Sequence, residues 1–117
     1  MPLWIVAYYP PSGESDSPYD KIQSIDDVKE AASIDNLLEM LADLTYMEWS
    51  CHVKLKPVVK KYNKLLQITD GNYRVYLSLS RSEKKIIVLH VCRKVGRKAK
   101  PEDINRAVIH YREYFER

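Results

Sequence analysis

Residues 70–100 read DGNYRVYLSLSRSEKKIIVLHVCRKVGRKAK. Two apolar runs flank a short charged loop, and the second run ends in a cluster of Arg and Lys. The first run alternates strictly. Tyr73, Val75, Leu77 and Leu79 fall on one face, and Arg74, Tyr76 and Ser78 on the other, the period of a half-buried strand. The second run, residues 85–92, is apolar on both faces, which predicts a central strand. SRSEKK between them predicts a hairpin loop in which Lys84 and Lys85 are simply solvated. Upstream, KLLQIT at residues 64–69 predicts a further strand. Asp70-Gly71-Asn72 joins it to the first run, because Gly and Asn tolerate the positive φ of a tight turn. Residues 64–92 therefore predict a three-stranded antiparallel meander.

Working outward, residues 3–9 (LWIVAYY) predict a short strand that Pro10-Pro11 stops, and PPSGESDSP at 10–18 predicts a loop. Residues 25–45 predict a helix with Ser24 as N-cap and Asp26 and Asp27 in its first turn, where the dipole favours negative charge. Its apolar face comprises Val28, Ala31, Ala32, Leu38, Leu41 and Leu44. Asp35 interrupts that face, and a break at Ser33 is one reading of it. Residues 45–57 have two readings, a second helix opened by Pro57 or a long connection. Lys100-Pro101-Glu102-Asp103 predicts a helix start, with Pro near N1 and acids in the first turn. Ile104, Ala107, Val108, Tyr111 and Phe115 then form an apolar stripe. The expected fold is a single α+β domain, 1–117, with a small, mainly antiparallel sheet. The last helix is expected to cover one face of the sheet; if that is the Tyr73, Val75 and Leu77 row, Arg74 and Tyr76 face a concave, partly open surface.

A chain of 117 residues, 45% hydrophobic and 30% charged, is long enough for one packed core. No apolar run reaches the ~18 residues of a membrane span. The N-terminal stretch lacks the basic n-region and small-residue cleavage site of a signal peptide, so the expected address is the cytoplasm. Two cysteines are too few for a disulfide framework. The net charge of +3 conceals an asymmetry: residues 1–50 carry 2 basic and 10 acidic side chains, residues 51–117 carry 17 and 6. A basic second half points to a polyanionic partner. The plain alternative is that the two halves neutralise each other across the fold.

The hairpin brings the start of strand 73–79 beside the end of strand 85–92. Arg74 is thus expected near Arg93, Lys94, Arg97 and Lys98, a candidate phosphate site at one end of the sheet. Tyr76 on the same face is a candidate stacking surface for a base. The structural alternative for Arg74 is an ion pair with a neighbouring carboxylate. A zinc site from Cys51, His52, His90 and Cys92 matches no strong spacing, and His90 and Cys92 fit a strand face as core residues. No G-x-S-x-G occurs, so a serine nucleophile is not supported.

The ordered pieces Leu66-Gln67-Ile68, Tyr73-Arg74-Val75, Leu89-His90, Arg93-Lys94, Arg97-Lys98, Pro101-Glu102-Asp103-Ile104 and Ala107 resemble the RelE/HigB superfamily of toxins, in its phage-derived HigB-like branch. The Trp4-Ile5-Val6 strand and the loop from Gly13 to Pro18 fit more loosely. The resemblance implies a RelE-like fold and cleavage of mRNA on the ribosome, silenced by a cognate antitoxin protein, with no cofactor, metal or membrane. Such cleavage uses the ribose 2′-OH as nucleophile. Arg74 would stabilise the developing charge, helped by Arg93 or Arg97. Lys94, Lys98 or Tyr111 would move protons, and Lys100, Tyr76, Lys64 and Lys61 would join Arg97 and Lys98 in binding RNA. The chain departs from the family where Thr69 replaces a common Arg, and where Leu65 and Gln67 stand at the RelE branch's paired lysines. Lys64 is expected to point to the other face. Lys54, Lys56, Lys60 and Lys61 are the possible substitutes. The alternatives are a non-catalytic module of the same fold that binds RNA or protein, and an interaction domain whose acidic half docks a basic partner.

Overall fold

The computed structural model describes residues 2–117. Its elements are β1 (Ile5–Tyr8), α1 (Pro18–Gln23), α2 (Val28–Ala42), α3 (Tyr46–Trp49), β2 (Lys56–Val59), β3 (Tyr62–Asp70), β4 (Tyr73–Ser80), β5 (Lys85–Arg93) and α4 (Pro101–Phe115). The strands form one mixed sheet in the order β1-β5-β4-β3-β2. The expected α+β class holds, with a different strand layout. The meander has four strands rather than three, and β1 adds to β5 in parallel, Ile5 opposite Lys85 through Tyr8 opposite Val88. β5 is interior, as its two apolar faces require.

β2 was hidden by Pro57. Proline removes a ladder donor, so it survives in strands at the sheet edge, and β2 is that edge. The first helical region also divides differently from expectation. α1 ends at Gln23, and Ser24 is its C-cap, with its hydroxyl donating to the Lys21 carbonyl at 2.9 Å. α2 is capped instead by Asp27, whose carboxylate accepts from the Lys29 and Glu30 amides. It runs unbroken through Ser33 and Asp35. Its inward face is Ile34, Leu38, Leu41 and Ala42, while Val28 is 78% exposed. Full burial of such side chains contributes about 1.5–3 kcal/mol each. α3 begins with a reciprocal capping box. Thr45 Oγ1 accepts from the Glu48 amide, and the Glu48 carboxylate accepts from the Thr45 amide at 3.0 Å. T-x-x-E was the sequence signal for it.

Two cores flank the sheet. On one side Val75, Leu77, Ile86 and Val88 pack with Ile34, Leu38, Leu41 and Trp49 from α2 and α3. On the other, Leu65, Tyr76, Ile87 and Leu89 pack with Ala107 and the aromatic residues of α4. This corrects the expected covering. The Tyr73, Val75 and Leu77 row lies beneath α2, and α4 covers the Tyr76 face, chiefly over β5. Among the described residues, no helix is long and apolar enough to cross a membrane.

β5 carries a bulge: Tyr76 faces His90 but Leu77 faces Val88, so Leu89 has no opposite number. A bulge re-aims side chains, and here Leu89 and His90 both reach the α4 side. The Leu89 carbonyl accepts from His110 Nδ1 at 2.7 Å. His90 Nε2 donates to Asp103 at 2.9 Å, and its Nδ1 accepts from Lys21 Nζ at 3.4 Å. Lys21 and Arg106 both pair with Asp16. The network ties the loop before α1, α1, β5 and the start of α4 together.

Burial, with Lys21 and His110, holds the His90 pKa below the ordinary value of 6.5, against the pull of Asp103. The unfolded chain therefore binds this proton at a higher pH than the folded chain does. Stability is expected to be complete above about pH 6.5 and to fall as pH drops below it. Urea midpoints at about pH 7.5 and about pH 5.5 check this, and His90→Gln should reduce the difference. Equal pH dependence in variant and wild type would contradict it.

Candidate functional site

One end of the sheet carries a cleft of about 220 Å³. Lys54 and Lys56 reach it from the segment entering β2, Gln67 and Thr69 from β3, and Arg74 from β4. Lys94 and Arg97 close it from the loop between β5 and α4. The register explains the convergence: Lys56 lies opposite Gln67, Thr69 opposite Arg74, and Arg74 opposite Cys92. Five cations line the cleft, and among the described residues no carboxylate does.

Arg74 is only 3% exposed. Its Nη2 donates to the carbonyls of Gly96 at 3.3 Å and Arg97 at 3.0 Å. Gly96 has φ of +75°, a turn that an L side chain rarely adopts. The Lys94 amide donates to the Asn72 carbonyl at 2.6 Å, fixing where the loop leaves the sheet. Among the described residues Arg74 thus finds no carboxylate partner. It anchors the basic loop, and its other guanidinium N–H groups remain for a ligand.

The expected site residues separate into two ends of the molecule. Arg74, Lys94 and Arg97 come together as expected. Arg93 does not join them: it lies opposite Tyr73 and lines a separate recess with Lys21 and Asp26. Lys98 and Lys100 are exposed and lie outside the cleft lining, and Lys100 caps α4 without a side-chain bond. Tyr111 and Lys64 line a second cavity beside Ser78, roughly 13 Å along β4 from Arg74 at ~3.3 Å per residue. Lys61 sits over the Tyr62 ring, which packs on Tyr111, at that same far end. Of the substitutes considered, Lys54 and Lys56 line the cleft, whereas Lys60 and Lys61 do not. They arrive through the hairpin of β2 with β3, in which Val59 lies opposite Tyr62 and Lys56 opposite Gln67, a strand that Pro57 hid in the sequence.

Tyr76 is fully buried, so it offers no ring to a base. Its hydroxyl is buried with no partner among the described residues. Burial, with Cys92 and Asp103 nearby, raises its pKa. Tyr76→Phe removes an unsatisfied polar group and is expected to stabilise the fold by about 1 kcal/mol, read as a higher urea midpoint. A lower midpoint would show that the hydroxyl has a partner.

The four-ligand zinc arrangement is not assembled. Cys51 and His52 are exposed beyond α3, away from His90 and Cys92. His90, Cys92 and Asp103 do hold ligand atoms within 4.8 Å of one another. Hydrogen bonds already fill that group, the Lys21 ammonium faces His90, and burial pushes the Cys92 thiol up to about 11. A buried thiol kept protonated beside an ammonium is a poor cation ligand.

The cleft is suited to a phosphodiester: five cations, two of them planar guanidinium groups with that of Arg74 held in place, and hydrogen-bonding Gln67 and Thr69 among them. Compared with models of known protein families and with curated proteins, the chain matches none of them.

Proposed function

We propose that the chain is a metal-independent endoribonuclease with a RelE-like fold, the toxin of a toxin–antitoxin pair, acting in the cytoplasm on mRNA at the ribosome. The single observation that carries this reading is the cleft of five cations with Arg74 at its base. The ordered motifs from Leu66 to Ala107 support it. Gln67 and Thr69 stand where the family has basic residues, and the cleft offers a compensation. Lys56, directly opposite Gln67, and Lys54 supply positive charge from the adjoining strand side.

In the reaction a 2′-OH loses its proton and its oxygen attacks the adjacent phosphorus. The bond to the 5′-oxygen breaks, leaving a 2′,3′-cyclic phosphate and a protonated 5′-OH. Base and acid must stand on opposite sides of the phosphorus. The strand order puts Lys56 and Lys94 on opposite flanks of Arg74. These two lysines take the proton roles, and Arg74 and Arg97 neutralise the extra charge. A cognate antitoxin would silence the protein by covering this cleft.

Primer extension on a reporter mRNA in a purified translation system tests the reading. Wild-type protein is expected to cut at codon boundaries only when ribosomes are present, and Lys56→Met is expected to weaken the cuts by about a hundredfold. The engagement of Arg74 by loop carbonyls favours a second reading, a non-catalytic RNA-binding module. Salt-sensitive RNA binding by folded protein without any cuts would select that one. Neither cuts nor binding would overturn both.

A further inference from the structure

At the end of the sheet away from Arg74, the ladder between β3 and β4 stops early. Partners run from Asp70 opposite Tyr73 to Leu66 opposite Leu77, although β4 continues to Ser80 and β3 begins at Tyr62. The strands part there, and a side chain bridges the gap: Ser78 Oγ donates to the Lys64 carbonyl at 2.7 Å. The opening contains a cavity of about 350 Å³, larger than the Arg74 cleft and within the size of small-molecule pockets.

Its lining has two chemistries. Tyr46 of α3 approaches from one side of the sheet, and Tyr111 and Phe115 of α4 from the other. The Tyr111 and Phe115 rings lie 4.8 Å apart at 36°, a preformed aromatic wall. Lys64 and Arg81 supply positive charge, and neither forms an ion pair among the described residues. Arg81 lies 5.7 Å from the Tyr46 ring centre, which places its cation at the wall. No carboxylate lines the cavity among the described residues.

We propose that this split in the sheet binds a small planar aromatic anion, its ring between the α3 and α4 aromatics and its charge on Lys64 and Arg81. Burial of a flat apolar body beside two cations, with no carboxylate in the lining and Glu83 behind Ser80 already held by Tyr114 and Ser80, is the complement of an aromatic carboxylate. The proposal rests on the cavity alone and stands or falls separately from RNA cleavage.

The test is an amide-shift titration of the whole chain with 2-naphthoate and with its neutral counterpart 2-naphthylmethanol. Saturable shifts confined to Ser78, Ser80, Arg81, Tyr111 and Phe115 are expected with naphthoate. Lys64 and Arg81 are exposed, so the Lys64→Met, Arg81→Met double variant is expected to fold. It should bind naphthoate at least about tenfold more weakly while its weaker binding of the alcohol is unchanged. Unsaturable shifts over many surface lysines would overturn the proposal. So would shifts confined to the Arg74 cleft, or an equal loss of both probes in the variant.

Discussion

Replacing Arg74 with Ala is expected to reduce ribosome-dependent cleavage by about 10²–10³-fold and to cost about 1–3 kcal/mol of stability. The two effects have one origin. The buried guanidinium holds the Gly96 and Arg97 carbonyls, so its loss frees the loop that brings Lys94 and Arg97 over the cleft. The stability cost stays modest because that loop is at the surface, where water can satisfy the released carbonyls. Arg74→Lys separates the roles. An ammonium keeps the charge but lacks the planar fork, in which Nη2 holds both carbonyls and the remaining N–H groups are left for the proposed phosphate. It should therefore retain RNA binding better than it retains cleavage. Single-turnover cleavage, RNA titration and urea unfolding of the three proteins give the comparison. Wild-type cleavage by folded Arg74→Ala would remove Arg74 from the site.

Trp49→Ala is expected to lower stability by about 3–5 kcal/mol, a large share of the 5–15 kcal/mol typical of a domain. Trp49 is fully buried between α2 and the sheet, and its Nε1 donates to the Leu41 carbonyl at 2.9 Å. The truncation leaves a cavity and removes one of the bonds to the Leu41 carbonyl, which keeps its bond from the Leu44 amide at 3.1 Å. Trp49→Phe keeps most of the volume and isolates the second effect, with an expected cost of about 1–2 kcal/mol. Urea midpoints measure both, and an unchanged midpoint for Trp49→Ala would show that α3 contributes nothing to the core. Trp4 makes the equivalent bond to Leu44 at 2.9 Å, so two indoles tie the end of α2 to its surroundings.

Much of the cleft was legible because it depends on local pairing. The alternation of residues 73–79 set the face of Arg74. The short hairpin through residues 81–84 set its register against β5, so its meeting with the basic residues after Val91 followed. Arg93 was misplaced because the same alternation turns it to the Tyr73 side. Tyr111, Lys64 and Lys61 were grouped with Arg74 by charge and chemistry, and no local rule carries distance along the sheet.

The sequence by itself determined the α+β class, the β3 to β5 meander, the central place of β5 and the start of α4. Each of these follows from short-range periodicity, turn chemistry or capping. Only the tertiary structure decided which sheet face α4 covers, because an alternating strand defines two faces without saying what packs on either. The parallel addition of β1 to β5 likewise depends on a partner distant in the chain, while the β2 hairpin and the bulge at Leu89 are local pairings that propensity and alternation do not show. The β2 hairpin brings Lys54 and Lys56 to the cleft, and the packing of α4 buries Tyr76. The bonds to Gly96 and Arg97 change Arg74 from a solvent-facing cation into the buried anchor of the basic loop.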